Sequence, residues 1–346
     1  MMNKSMITIC FAMCGAIALA DTARIGAYVI DAVTQKPVPG IKVSASFSND
    51  NGWKAWTESA PIYHDERLTD VNGFCEFKGK TNIGKCGCGV DKQGTKYYAG
   101  AGRGFQFSSK DLFGTWQPDN LVATIRLARV EHPIPLWVKR VGCLDRIRSE
   151  AGHWNGTNMV FRYDLIKGDY LPPDGKGEMT DVVVESMITH LAVTNVYRQT
   201  KFFYDITNVI SFPGEGNGVV PIFATFGDGI RLRVAHTNDY EQTIVMKCGM
   251  RKDVDGPNVF GKYYSESNPE RCYCFRIRSR HDANGNLVKA YYGKIYGDFM
   301  ISGTLENGSN VEFLYYLNPT SLDRNLEWDM KNNLCPNPGK LSILSP

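Results

Sequence analysis

The chain has 346 residues, of which 43% are hydrophobic and 22% charged, and its formal net charge at pH 7 is +3. Because acidic and basic residues are nearly balanced and interspersed, the charge gives no support for nucleic acid or an anionic membrane as partner. Turn dipeptides, Gly, Tyr, Phe and Val are frequent, whereas long stretches with a 3.6-residue hydrophobic period are few. These features predict an all-β protein, and the length favours two domains.

The first residues have the pattern of an export signal. Lys4 precedes a short apolar stretch, Met6 to Leu19, which ends in a small-x-small cleavage sequence. That stretch is too short to span a bilayer comfortably. We therefore predict that residues 1–20 are a cleaved signal peptide. No other long apolar stretch follows, so the mature product is predicted to have no transmembrane segment and to be periplasmic, cell-surface or extracellular.

The cysteines also bear on the compartment of the mature protein. There are ten, and two of them lie in the predicted signal peptide. In an oxidising compartment an even set of cysteines predicts disulfides. Cys86-x-Cys88 and Cys272-x-Cys274 each place two thiols on one strand face, where each can reach a separate partner. A zinc site is less favoured, because such sites more often have Cys-x2-Cys or histidine pairs. The disulfide candidates are Cys75, Cys86, Cys88, Cys143, Cys248, Cys272, Cys274 and Cys335.

Residues 21–130 are predicted to form the first domain, a small β-sandwich. Apolar residues alternate with polar ones from Ile41 to Ser48 and again from Leu121 to Ala128, which is the period of half-buried strands. A Pro-Val-Pro-Gly turn precedes the first of these stretches, and an Asp-x-Asn-Gly turn follows it at Asp70 to Gly73.

The segment from Gly26 to Phe77 resembles the carboxypeptidase regulatory-like domain, which has a transthyretin-type, immunoglobulin-like β-sandwich fold. The matching residues are Asp31, Thr34, Pro37, Val38, Gly40, Val43, Thr69, Asp70, Asn72, Gly73 and Phe77. Where that family usually has a second core-facing hydrophobic residue after the glycine turn, this chain has Cys75, and we predict that a disulfide takes over part of the core there. The resemblance implies no catalysis, and none of the six histidines begins a His-x-x-Glu ligand pair.

Residues 131–346 are predicted to form a larger antiparallel β-sandwich or jelly-roll-like domain. Pro133 and Pro135 disfavour regular pairing, so residues 131–141 are predicted to be an extended linker. Hairpin turns are predicted at 227–229, 282–286 and 307–308, and a short helix at 321–332. This part resembles uncharacterised exported bacterial proteins through segments such as PIPLWVKRV, SFPGEGNGVV and RCYCFRIRS. No activity is attached to that resemblance.

No catalytic motif is visible in the sequence: Gly-x-Ser-x-Gly, His-Glu-x-x-His and a phosphate-binding glycine loop are all absent. Acidic residues crowd the segments 169–181 and 298–329, but a glycosidase needs two carboxyl groups at a set separation. We interpret these acids as loop and turn residues. Asp253 and Asp282 begin fragments of a calcium loop that lack the terminal Glu, and we interpret them as turns. We therefore predict no catalytic residue, cofactor or metal.

Paired aromatic residues are the strongest signal of a binding surface. In a strand, consecutive side chains face opposite sides, so each aromatic pair is expected to present one ring outward. The candidate ligand-binding rings are Tyr170, Tyr264, Tyr292 and Tyr316. We predict an exported, non-catalytic envelope or surface protein that mediates interaction or presentation. The alternative is a carbohydrate-binding or glycan-processing protein acting through the second domain. The expected partner is a polysaccharide or another envelope protein.

Overall fold

The structure, a computed structural model, describes residues 21–50, 62–90, 97, 102–142, 158–196, 199–223, 232–252, 261–268, 270–304, 308–336 and 338. The predicted signal peptide, Cys143 and the predicted turns at 227–229 and Asp253 lie outside these residues. Every regular element within the described residues is a β-strand, which confirms the all-β prediction. Among these residues there is also no helix of the length and apolarity that a membrane crossing requires.

The described residues form two compact units, the first extending to Arg129 and the second starting at Val130. The strands of the first unit are β1 (Thr22–Asp31), β2 (Lys42–Ser48), β3 (Ile62–Leu68), β4 (Phe74–Lys80), β5 (Lys85–Val90), β6 (Arg103–Gln106), β7 (Ser109–Lys110), β8 (Trp116–Gln117) and β9 (Leu121–Leu127).

The first unit is a β-sandwich. A sheet with the order β4-β1-β9 packs against a sheet with the order β3-β2-β5-β6, and the apolar face of each sheet contributes to one core. The predicted alternation in β2 is confirmed, since Val43, Ala45 and Phe47 are buried. Gly79 allows the Phe47 ring to pack, because a Cβ there would lie 2.4 Å from that ring.

The turn before β4 closes by local contacts. Asp70 Oδ1 accepts hydrogen bonds from the backbone N–H groups of Asn72 and Phe74, both at 2.8 Å. Gly73 has a φ of +70°, which favours glycine, and an added Cβ would lie 2.5 Å from the carbonyl oxygen of Val29. The Asp-x-Asn-Gly pattern therefore forms the turn that the sequence predicted.

The second unit contains the remaining strands. They are β10 (Ile134–Gly142), β11 (Asn158–Asp164), β12 (Asp169–Tyr170), β13 (Val182–Val196), β14 (Gln199–Ser211), β15 (Gly218–Phe223), β16 (Thr243–Arg251), β17 (Lys262–Ser265), β18 (Arg271–His281), β19 (Leu287–Thr304), β20 (Gly308–Leu317) and β21 (Trp328–Asn333).

These strands form a larger sandwich of two six-stranded sheets, with the orders β15-β18-β19-β20-β10-β21 and β12-β11-β13-β14-β16-β17. The main core lies between the sheets and includes Phe212, Phe275 and Phe313. Two smaller clusters lie outside the main core. One surrounds Trp328 and buries residues of β10 and β20, and the other surrounds Tyr292 and Leu326 and buries residues of β18 and β19. The first sheet is therefore covered by side chains on both faces.

Two sequence predictions in this unit are wrong. Residues 131–141 are not an unpaired linker, because β10 pairs with both β20 and β21. Pro135 is tolerated since it lies at the register shift between Ile134 and Leu136, where the ladder to β21 is interrupted. The short helix predicted at 321–332 is absent, and β21 begins there at Trp328, which is buried against Tyr316. Burial and pairing outweigh weak local helix preference.

The other predicted hairpins have mixed outcomes. β18 and β19 pair antiparallel around residues 282–286, and Asp282 caps that turn through the N–H groups of Asn284 and Asn286. β19 and β20 also pair antiparallel, with Thr304 opposite Gly308, although residues 305–307 lie outside the described part of the chain. β15 pairs with β18, and the turn predicted at 227–229 lies outside the described part of the chain, so the hairpin there stays a prediction.

Candidate functional site

The candidate site is a pocket in the second unit, beside the β18–β19 hairpin. Its volume is about 330 Å³, and its walls come from the end of the loop before β13, the turn between β14 and β15, and the facing strands β18 and β19. We call it the Arg278 pocket. The lining residues that carry chemistry are Asp181, Asn217, Arg278, Arg280, Lys289 and Tyr291.

Arg278 lies at the floor of the pocket and is held there by two buried aspartates, Asp181 in the lining and Asp164 behind it. Its Nε lies 2.9 Å from Asp181 Oδ1, and its Nη2 lies 2.9 Å from Asp181 Oδ2 and 2.6 Å from Asp164 Oδ1. The two carboxylates are almost completely buried, whereas 19% of the Arg278 side chain is exposed. A guanidinium that binds one carboxylate bidentately and also contacts a second is fixed in position and orientation.

Asp164 closes the loop that leads to the pocket. Its Oδ1 accepts the N–H groups of Ile166 and Lys167, and its Oδ2 accepts those of Glu178 and Met179. Although burial opposes ionisation, these N–H groups and the Arg278 charge lower the pKa of Asp164. The carboxylate therefore stays charged and ties both ends of the loop to Arg278.

Asp181 is fully occupied as well. Besides the two contacts to Arg278, its Oδ2 accepts the N–H of Leu165 at 2.9 Å. Burial raises the pKa of Asp181, and the Arg278 guanidinium acts in the opposite direction. Asp181 is the only carboxylate among the described residues that line the pocket. Because both of its oxygens are engaged, it holds Arg278 in place instead of facing a ligand as an acid or base.

The backbone at Arg278 departs from regular strand geometry. Its φ is +54°, which is uncommon for a residue other than glycine, and the ladder between β18 and β19 is irregular from Ile277 to Arg280. Such a conformation persists only when surrounding contacts fix it, and it is enriched at functional sites. Here the contacts that fix it are those to Asp164 and Asp181.

Arg280 and Lys289 form the cationic wall of the pocket. They are directly opposite each other in the β18–β19 ladder. Neither side chain has a carboxylate within salt-bridge distance among the described residues. Lys289 is partly buried, and its Nζ lies 5.6 Å from the centre of the Tyr291 ring. Like charges directly opposite in a sheet are destabilising, so this pair is unfavourable unless an anion lies between them.

The acids that crowd two segments of the sequence have structural partners. Asp169 accepts the N–H groups of Tyr170 and Lys176, and Asp298 accepts those of Asn268 and Phe299 as well as the guanidinium of Arg271 at 2.6 Å. Glu327 accepts the N–H groups of Glu131 and His132. These carboxylates satisfy loop backbone, as the sequence interpretation proposed.

The four tyrosines predicted as an outward surface do not form one. Tyr292 and Tyr316 are 4% and 0% exposed, so the prediction that they face outward is wrong for both. The smaller clusters of the second unit cover them. Tyr170 packs against the main core and donates its hydroxyl to the carbonyl of Gly142, whereas Tyr264 donates to Asp205 at 2.6 Å.

The predicted disulfide candidates are mostly buried. Cys75, Cys86 and Cys88 lie in the core of the first unit as thiols, and burial raises the pKa of Cys75 to about 11 and those of Cys86 and Cys88 to about 12. In the second unit, Cys248, Cys272 and Cys274 are also thiols, and Cys335 is buried beside Gly168. Disulfide pairing of these candidates stays a prediction.

No residue that lines the Arg278 pocket was among the site residues predicted from the sequence. A signal for them exists, because Arg276, Arg278 and Arg280 alternate in the segment RIRSR, which places three cations on one face of a regular strand. What the alternation does not reveal is that Lys289 lies opposite Arg280. Within the described part of the chain, no group of three His, Cys, Asp or Glu side chains is arranged to hold a metal.

Neither a family model nor a curated protein matches the chain. Among solved structures, the shaft pilin SpaA of Lactobacillus rhamnosus GG has 10% sequence identity and a TM-score of 0.22, covering 57% of this chain and 90% of the pilin chain. The major pilin SpaA of Corynebacterium diphtheriae has 10% identity and a TM-score of 0.23, covering 79% of this chain and 69% of the pilin chain. Similarity this low carries no argument about activity or partner.

Proposed function

We propose that this protein is an exported, non-catalytic protein of the cell envelope or cell surface that binds a partner through the Arg278 pocket. The N-terminal pattern of a basic residue, a short apolar stretch and a small-x-small sequence supports export. The two sandwiches support a role in holding or presenting a binding surface, because such folds supply rigid frames for loops.

One observation carries the binding role: the only acid in the described lining is already engaged by hydrogen bonds, whereas two of its cations have no carboxylate partner. Asp181 is saturated by Arg278 and by the N–H of Leu165, whereas Arg280 and Lys289 have no carboxylate partner among the described residues. Acid–base chemistry needs a titrating group that reaches the substrate. Attraction of an anionic ligand needs only fixed positive charge. The pocket therefore fits binding better than catalysis.

Carbohydrate binding is the second candidate function, and Tyr291 favours it. This half-buried ring lines the pocket beside Lys289, and an aromatic ring next to polar groups is a typical sugar-binding surface. Glycan processing is less favoured, since most glycosidases use two carboxyl groups and Asp181 is already engaged.

The test is binding of the purified mature chain to isolated cell envelopes. We expect saturable binding that weakens as salt increases. The double variant Arg280→Gln, Lys289→Gln should bind much more weakly than the parent chain. The matched control is Lys78→Gln, Lys80→Gln in β4, which removes the same charge from exposed positions of the first unit. Chemical change of the bound envelope material during incubation would contradict the non-catalytic proposal. Retention of the chain in the cytoplasm would contradict export.

A further inference from the structure

The Arg278 pocket combines a fixed guanidinium, two cations and an aromatic ring in one cavity. We propose that its ligand is an acidic sugar unit, a ring that carries a carboxylate, as found in uronic acid saccharides. This inference rests on the proposed binding function and names the ligand class for the same site.

The cationic wall favours an anion. Arg280 and Lys289 are opposite each other in the ladder, so their mutual repulsion is relieved when a negative group lies between them. A carboxylate matches the planar fork of a guanidinium through two parallel hydrogen bonds. Arg278 adds an N–H donor at the floor, because its Nη1 makes no hydrogen bond to the described residues. The two carboxylates of Asp164 and Asp181 exceed the single positive charge of Arg278, so Arg280 and Lys289 supply the attraction.

The rest of the pocket fits a ring better than a bare ion. Tyr291, Met179 and Pro213 provide apolar surface next to the cations. A sugar ring has one apolar C–H face that packs on an aromatic ring, while its hydroxyl groups pair with polar residues at the edge. The hydroxyl of Thr180 makes no hydrogen bond to the described residues and is suited to that role. Inorganic phosphate or sulfate would leave the apolar surface unused.

The size of the cavity points the same way. A volume of about 330 Å³ is near the lower limit for small-ligand pockets, which suits one sugar ring with its substituents. An acidic peptide would bring short alkyl chains and an extended backbone, and these require a longer groove or a free strand edge. Among the described residues, β18 and β19 pair only with each other beside the pocket, and their outer edges are partly occupied, because the N–H of Ser279 donates to Asn217 Oδ1 and the carbonyl of Ala290 accepts the N–H of Leu322.

The test compares ligands that separate charge from ring. Isothermal titration of the full mature chain would use a galacturonate oligosaccharide, the neutral galactose oligosaccharide of equal length, a glutamate oligopeptide and inorganic sulfate. We expect measurable binding of the galacturonate oligosaccharide alone. Comparable binding of the neutral sugar, or tighter binding of the glutamate peptide or sulfate, would overturn the assignment.

Variants then locate the binding. Removing both cations with Arg280→Gln, Lys289→Gln should weaken galacturonate binding by about tenfold or more, because each charged hydrogen bond contributes on that order. Tyr291→Leu, which keeps apolar packing, should weaken it about three- to tenfold. Lys78→Gln, Lys80→Gln should leave it unchanged, and no variant should melt below the temperature of the parent chain. Unchanged binding in the Arg280, Lys289 variant would overturn the site.

The two proposals fail in different ways. If envelope binding depends on Arg280 and Lys289 but galacturonate does not bind, the sugar assignment is wrong and the proposed binding function stands. If envelope binding is insensitive to both residues, the pocket is not the binding site and both proposals fail.

Discussion

The two units bury polar groups in different ways. In the first unit, the buried polar residues among those described are Asp31, Thr69 and Thr81, and Asp31 mainly accepts the N–H groups of Val33 and Thr34 in its own turn. In the second unit, Asp164 and Asp181 are joined to Arg278, which is 114 and 97 residues away in the sequence. Local capping closes a short turn, whereas a long-range ionic network fixes a loop against a distant strand.

This contrast explains where a binding site can form. The Asp31 turn closes on its own residues, whereas the hydroxyls of Thr69 and Thr81 bond to backbone 28 to 33 residues away. None of these contacts is ionic, and the core beside them is apolar apart from three thiols. The loop from Asp164 to Asp181 needs Arg278, and once that contact forms, the pocket has a fixed floor. Buried ion pairs are weak contributors to net stability but specify one arrangement of the groups around them in some proteins.

The largest expected effect comes from breaking this network. Arg278→Met should lower the free energy of unfolding of the second unit by about 3–5 kcal/mol, because it leaves two buried carboxylates without their cation. Chemical denaturation followed by tryptophan fluorescence would measure it. Adding Asp164→Asn and Asp181→Asn should recover part of the loss, since the buried negative charge is then removed. A loss below about 1 kcal/mol would mean that the network is solvated.

A glycine pair in the first unit tests local closure. A left-handed backbone conformation costs a residue with a side chain roughly 1–2 kcal/mol. Gly73→Ala should lower the free energy of unfolding of the first unit by more than this, because the new Cβ also meets the Val29 carbonyl. Gly40→Ala is the matched control, since Gly40 has a φ of +71° and a Cβ added there would have no neighbour within 4 Å. Equal losses in the two variants would show that the close approach to Val29 is unimportant.

The pH dependence of the first unit should report on Asp31. Hydrogen bonds from Thr34 lower the pKa of Asp31 below its ordinary value of 3.8, against the opposing effect of burial. Its contribution to stability is therefore complete above about pH 4 and is lost as the pH falls through the lower folded-state pKa. Asp31→Asn keeps an oxygen acceptor but cannot ionise. The melting temperature of this variant should therefore change less between about pH 5 and pH 2 than that of the parent chain. An unchanged profile would assign acid sensitivity to other carboxylates.

The smallest effect is expected at the exposed ion pair of the second unit. Arg251 contacts Asp205 at 2.8 Å, but more than half of the Arg251 side chain is exposed to solvent. Because water screens the charge of the exposed guanidinium, while Asp205 keeps its hydrogen bond from Tyr264, Arg251→Gln should lower the free energy of unfolding by no more than about 1 kcal/mol. The difference from Arg278→Met, measured under the same denaturation conditions, isolates the contribution of burial. A loss as large as that of Arg278→Met would remove this distinction between buried and exposed pairs.

The sequence predicted the β-sandwich of the first unit because its strands and turns are specified by nearby residues. Alternation in β2 and β9 and the turn at Asp70 to Gly73 depend on contacts within a few positions. The same reasoning went wrong at Pro135 and Trp328, where pairing with a distant strand decided the outcome. It also placed Tyr292 and Tyr316 outward, because alternation gives the two faces of a strand but not what covers them.

The all-β class, the strand periods and the turns therefore follow from the amino-acid sequence alone, because each depends on the chemistry of neighbouring residues. The Arg278 pocket, in contrast, exists only through the tertiary structure. Arg280 and Lys289 meet across a hairpin, and Arg278 is held by aspartates from another segment of the chain. Such juxtapositions depend on register and on side-chain burial, which local sequence patterns do not specify.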